Sequence, residues 1–244
     1  SPEVIAMYEK AGACGDLHTD LHECVGHGSD KLMPGVTKDA LKEHASTIEE
    51  ARADLLGLYY MADPKLVELG LLEDEEAYKG FYYQQMMNGL MTQLHRIEPG
   101  KDVEESHMRD RQLIAAWAYD LGKADNVIEF AVVEGKHYVK INDYVKLREI
   151  FGQQLAEIQR IKSEGDFAAA RNLVEQCGIK LNPEQHREIL KRHKQLNLAP
   201  YKGFINPKYE VVRNEEGDII DVSISCDEAY DEQMLRYSKQ YKTL

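Results

Sequence analysis

Apolar residues return roughly every three to four positions through most of this chain, the spacing that gives a helix one continuous apolar face. Ala40, Leu41, Ile48, Ala51, Leu55, Leu56 and Tyr59 form such a face. Thr37 is placed to cap that helix, and Pro64 stops it near Met61. An earlier helix is predicted from about Leu17 to His27, ending near Gly28. Glu73 to Arg96 reads as one long helix whose Phe81, Tyr82, Met86 and Met91 fit a packed core better than a cofactor pocket. After Pro99-Gly100 comes another, roughly Val103 to Leu121, with Gly122 placed as a left-handed closing residue. Leu147, Phe151, Leu155, Ile158 and Ile161 mark a further helix, capped by Asn142 or Asp143. Gly165-Asp166 opens one that ends at Gly178, and Asn182-Pro183-Glu184-Gln185 opens one that ends around Leu196. A last helix is expected from Asp227 to Tyr241. Residues 1–16 carry few signals.

The period changes in two places. Val127 to Val133 and His137 to Ile141 read as strands around Glu134-Gly135-Lys136. Tyr209 to Arg213 and Ile219 to Ser225 flank the turn residues 214–218 in the same way. The expected fold is mainly α-helical with two small β-hairpins. With 244 residues the chain can bury roughly 70% of its unfolded surface. A net charge of −13 opposes binding to nucleic acid or to an anionic membrane, both of which attract clustered lysine and arginine. No apolar run reaches the length of a membrane span, and no signal-peptide pattern opens the chain. The four cysteines form no CxxC pair, which suits a reducing, cytoplasmic location.

The chemistry gathers at Leu21-His22-Glu23-Cys24-Val25-Gly26-His27. Zinc hydrolases need protein ligands with an open coordination position and a carboxylate to take a proton from water. The common arrangement sets two histidines four apart on one helix face, about 40° around the axis. Here they are five apart, about 140° on a regular helix. Both rings can face one ion only if the turn widens or bulges, and Gly26 gives the backbone that latitude. Glu23, beside His22, is the expected general base. The following helix carries Glu49, Glu50 and Asp54. One of these acids can complete the metal site, Glu50 best of them, while the others accept the remaining ring hydrogens of His22 and His27. Arg52 suits a salt bridge closing that helix better than catalysis. The donor set fits zinc and also tolerates cobalt or manganese.

HECVGH at 22–27 and EEARAD at 49–54 resemble the HExxGH and EExxAD/E motifs of the dipeptidyl peptidase III family of zinc exopeptidases, peptidase family M49. The resemblance runs across the chain, with these motifs as its firmest part. It implies one zinc ion per chain held by His22, His27 and Glu50, between two helices. It implies Glu23 as the base that activates water, with Glu49 and Asp54 supporting the histidines. The segment from Glu105 to Arg111 resembles a family stretch carrying an active-site histidine, here His107, which would hold the substrate or the developing oxyanion. Arg111, one turn on, is a weaker substrate contact. His18, His44 and His95 have no such support and are expected in structural or solvent roles, with His44 near Glu50.

Family members are several hundred residues long, with two lobes around a wide cleft. The resemblance therefore implies the carboxyl-terminal part of such an enzyme, with much of the substrate grip on an upstream lobe that is absent here. The expected domains are a helical metal-binding catalytic region at 1–200, including the hairpin near 127–141, and a C-terminal hairpin and helix at 201–244 packed on it. Pro200, Gly203 and Pro207 mark the boundary. The expected activity is release of dipeptides from the amino terminus of short peptides. Another zinc endopeptidase, or a non-catalytic helical peptide-binding module that kept a metal site, are the alternatives.

Overall fold

The computed structural model describes residues 2–198 and 205–241. Two markers of the expected boundary, Pro200 and Gly203, lie outside the described residues. The chain divides into two compact units, Ser1–Leu196 and Asn197–Leu244. The described residues are mainly helical, with two two-stranded antiparallel sheets among them.

The first unit opens with α1 (Pro2–Lys10), in which no residue is fully buried and Val4 and Met7 are half-buried. After α2 (Cys14–Asp20) the chain runs directly into a π-helix, Leu21–Gly26, and then a 3₁₀ turn, His27–Ser29. The next helix, α3 (Ala45–Met61), ends where Pro64 requires but starts later than Thr37. Lys42 adopts a left-handed backbone with φ 47, which interrupts any helix begun at Thr37. A 3₁₀ turn, Lys42–His44, leads into α3 instead, and no side chain caps it. A short turn, α4 (Lys65–Glu68), precedes α5 (Ala77–Leu90).

The long helix expected over 73–96 is thus shorter. At its start Asp74 accepts from the Glu76 amide in a local turn, 2.8 Å. At its end Met91 leaves helical geometry (φ −143, ψ −60), and a 3₁₀ segment follows over Thr92–Arg96. Helix α6 (Ser106–Leu121) begins where the Glu105 carboxylate accepts from the amides of His107 and Met108 at 3.0 and 2.9 Å. Gly122 closes it, but at φ −85 rather than in the left-handed region. Its glycine is a matter of space, since a Cβ there would sit 2.8 Å from that of Val127.

Strands β1 (Ile128–Val133) and β2 (Lys136–Ile141) pair antiparallel, with Val133 opposite Lys136. Positive φ at Glu134 and Gly135 makes the connection a two-residue turn of type I′, whose twist matches the strands. Asp143 caps α7 (Tyr144–Glu164), and left-handed Gly165 ends it. Asp166 caps α8 (Phe167–Leu173), which passes into a second π-helix, Val174–Ile179. Asn182 accepts from the amides of Glu184 and Gln185 and opens α9 (Pro183–Leu196).

The core lies among α3, α5, α6 and α7. Ile48, Leu55 and Leu58 face Tyr82, Met86, Leu113, Leu147 and Phe151, all buried. Each such side chain adds roughly 1.5–3 kcal/mol of burial free energy. Tyr82 packs edge-on to Phe151 with centroids 4.9 Å apart, and its hydroxyl donates to the Leu58 carbonyl at 2.8 Å. The aromatic and methionine residues of α5 therefore serve packing.

The second unit holds β3 (Lys208–Arg213) and β4 (Ile219–Ser225), paired antiparallel with an irregularity at Val212/Arg213, and α10 (Tyr230–Gln240). Among the described residues no helix is long and apolar enough to cross a membrane.

Candidate metal centre and active site

The π-helix absorbs the extra residue between the two histidines. The His27 amide donates to the His22 carbonyl five residues back, one more than a regular α-helix spans. The imidazoles thereby meet, with ring centroids 4.7 Å apart and planes at 88°. Gly26 has φ −55 and ψ −78, right-handed with a ψ at the edge of the usual range, and its glycine also answers a lack of space. A Cβ there would lie 2.7 Å from the Ala53 Cβ and 2.8 Å from its Cα. Glycine lets the wide turn lie directly against α3.

Arg52 fixes that contact. It is fully buried on α3. Its Nη2 donates to the Gly26 carbonyl at 2.5 Å, its Nη1 to Ser29 Oγ at 3.1 Å, and its Nε to Glu49 Oε2 at 3.0 Å. The residue expected to close a helix by a salt bridge ties two elements together. Lys162 from α7 also reaches the Glu49 carboxylate.

Each histidine is held by a carboxylate through Nδ1. Asp54 Oδ1 accepts from His22 Nδ1 at 2.7 Å, and Glu49 Oε1 from His27 Nδ1 at 2.7 Å. A carboxylate can only accept, so both rings point an Nδ1 proton at their carboxylates, and in the neutral ring Nε2 is then a lone pair. Both Nε2 atoms turn toward Glu50 Oε2, at 3.3 Å from His22 and 3.8 Å from His27. That oxygen is buried and accepts no hydrogen bond. Two nitrogen lone pairs facing an unpaired carboxylate oxygen repel each other unless a cation lies between them. One donor atom from each of His22, His27 and Glu50 falls within 4.8 Å of the others, a spread that suits one divalent ion.

The charges around this group are matched. Burial works against ionisation of Glu49, but its bonds from Arg52, Lys162 and His27 hold its carboxyl down to about 2. Burial likewise opposes ionisation of Asp54, and the His22 bond with nearby His18 and Arg111 lowers it below the ordinary range. The Asp54 bond also raises the pKa of His22. His18, buried against Phe81, approaches the Asp54 carbonyl at 3.2 Å, and burial lowers its pKa. His44 is buried beside Phe167 and stands outside the group.

Glu23 remains exposed, with Oε1 4.0 Å from His22 Nε2. It borders a cleft of about 310 Å³ whose walls include His18, His22, Asp54, His107 and Arg111. His107 Nδ1 lies 3.5 Å from Glu50 Oε2, and the ring is half exposed. His22, His27, Glu50, Glu49, Asp54, Glu23, His107 and Arg111 thus lie at the group, directly behind it or along its cleft, whereas His44 packs on Phe167 and His95 stacks on His193 away from it.

Asp110 was not foreseen. It is fully buried on α6, and neither carboxylate oxygen has a hydrogen-bond partner. Burial first, then the charges of Asp54 and Glu50, pushes its pKa well above the carboxylate range. The one available signal was its position three residues after His107, on the same side of the helix.

The family model of peptidase family M49 matches residues 34–220. That span contains Glu49, Glu50, Asp54, His107 and Arg111 and begins beyond His27. Among solved structures, dipeptidyl-peptidase III (DPP III) from Caldithrix abyssi resembles the chain with a TM-score of 0.54 and 23% identity, over 73% of this chain and 32% of that one. Dipeptidyl-peptidase III from Corallococcus sp. strain EGB does so with a TM-score of 0.52 and 22% identity, over 73% and 31%. At these identities the likeness is one of fold, and this chain spans about a third of the length of those structures. No curated protein matches the chain.

Proposed function

Because the chain belongs to peptidase family M49, we propose that it carries the zinc-dependent centre of a dipeptidyl peptidase that releases dipeptides from the amino terminus of short peptides. The observation that carries this reading is the convergence of the His22 and His27 Nε2 atoms on the buried, unpaired Oε2 of Glu50. These three residues would hold the ion. Zinc bound there would acidify a water molecule and polarise the scissile carbonyl.

The remaining steps belong to side chains of this chain. Glu23 takes the proton of the attacking water and passes it to the leaving amine, a role that its exposure at the cleft permits. Asp54 and Glu49 keep both rings in the tautomer that presents Nε2. His107 donates to the carbonyl oxygen as its negative charge grows, and Arg111 aligns the peptide along the cleft. The groups that grip the substrate's amino terminus are assigned to an upstream lobe outside this chain. A cytoplasmic location belongs to the same proposal, because the four cysteines are free thiols.

The test uses a protein extended to the length of the dipeptidyl-peptidase III structures, loaded with zinc and given dipeptidyl-arylamides. Glu23→Gln should lower turnover by about 100- to 10,000-fold with zinc content unchanged. Cuts inside a blocked peptide would favour an endopeptidase. No cleavage by the zinc-loaded protein would leave only a peptide-binding module.

A further inference from the structure

We propose that Glu50, His107 and Asp110 form a second divalent-cation site, sharing Glu50 with the first. The inference rests on the metal reading above through that shared carboxylate.

Asp110 supplies the independent observation. A fully buried carboxyl with both oxygens unpaired is rare in folded proteins and requires an explanation such as a bound ion. His107 Nδ1 lies between two carboxylates, 3.5 Å from Glu50 Oε2 and 3.9 Å from Asp110 Oδ2. The second distance is too long for a hydrogen bond, and the Glu50 oxygen accepts none. Donors bound to one ion at about 2.1 Å stand roughly 3 to 3.5 Å apart, so a small inward turn of His107 closes the set. One donor atom from each of the three residues already lies within 4.8 Å of the others.

The chemistry of the site follows from its donors. One nitrogen and two carboxylates make a harder set than the two histidines and one glutamate beside it, and suit zinc, manganese or cobalt. The half-exposed ring of His107 leaves one side open for entry and for water ligands. Paired ions joined by a carboxylate stand about 3.5 to 4 Å apart in hydrolases. An ion on Nδ1 would also fix the proton of His107 on Nε2, the nitrogen left to donate into the cleft.

Metal counting decides it. The chain is stripped with a chelator, equilibrated with increasing Zn²⁺, and its bound zinc measured by elemental analysis. Two ions per chain are expected in the wild type, and one in Asp110→Asn and in His107→Gln. The His107 change removes a half-exposed ring and keeps the test informative if the buried change unfolds the protein. Refilling with Mn²⁺ should give the paramagnetic signature of a coupled pair in the wild type alone. One ion in all three proteins, or two in all three, overturns the second site and leaves the first standing. No bound zinc in any of them overturns both.

Discussion

Two π-helices lie among the described residues, and they do different things. Leu21–Gly26 docks on α3, which carries Glu50, and Val174–Ile179 docks on α6, which carries His107. Both continue a short α-helix, and both bring a glycine against their neighbour. The second buries Val174 and Cys177 and is anchored through main-chain groups. Its Ile179 carbonyl accepts from the Val103 amide at 3.1 Å, and the Lys180 carbonyl just beyond accepts from Gln112 at 3.0 Å. The first buries His22 and is braced by the ionised side chains of Arg52 and Glu49. A wide turn is thus a general backbone solution. The opposing carboxylates, and the charges that hold them, turn one of the two into a candidate site.

The largest expected difference concerns the brace. Arg52→Met leaves the half-buried Glu49 with fewer partners and frees the buried Gly26 carbonyl, and should lower stability by about 3–5 kcal/mol in denaturant unfolding. The charge on the second π-helix, Glu175, pairs instead with Arg171 one turn back at the exposed surface, 2.9 Å. An unfolding midpoint equal to that of the wild type would show that the first turn stands without its brace.

A direct contrast comes from alanine at each glycine. In Gly26→Ala the new Cβ meets Ala53 at 2.7 Å, and overpacking should cost about 1–3 kcal/mol together with metal affinity. In Gly178→Ala it meets the Arg109 carbonyl at 3.2 Å, a contact that a shift of a few tenths of an ångström relieves. Its loss should stay below about 1 kcal/mol, with metal affinity unchanged. Equal losses in thermal unfolding would remove the distinction. Asp54→Asn should weaken zinc binding about 10- to 100-fold in competition with a chelator, through loss of ring orientation.

The smallest effect is on pH dependence. The Glu49 carboxyl is depressed from its ordinary value of 4.5 to about 2. Its contribution to stability is therefore complete above about pH 4.5 and fades as the pH falls toward 2. Unfolding curves for Glu49→Gln should be flatter than the wild type across that window. An unchanged slope would mean that its bonds to Arg52, Lys162 and His27 do not persist in solution.

The five-residue spacing of His22 and His27 already required a widened turn in the sequence, because one extra residue must be taken up somewhere. The hairpin at β1–β2 and the caps at Asp143, Asp166 and Asn182 were legible for a similar reason, being set by neighbours in the chain. The packing role of Gly26 was not legible, since it depends on Ala53 lying across the interface. Arg52 looked like a local ion pair, because its acceptors at Gly26 and Ser29 become neighbours only after folding. Asp110 carried no signal of its own, because its burial depends on elements that pack around α6 only after folding. Thr37 offered a sound local cap that the left-handed turn at Lys42 overrides.

The central claim is that the π-helix turns both imidazoles onto one ion shared with Glu50. X-ray absorption at the zinc edge, on the chain loaded with one equivalent of zinc, tests it most directly. Two imidazole nitrogens and oxygen donors are expected at about 2.0–2.2 Å, with no sulfur. A single imidazole, or sulfur at about 2.3 Å from the exposed Cys24 on the same turn, would contradict it.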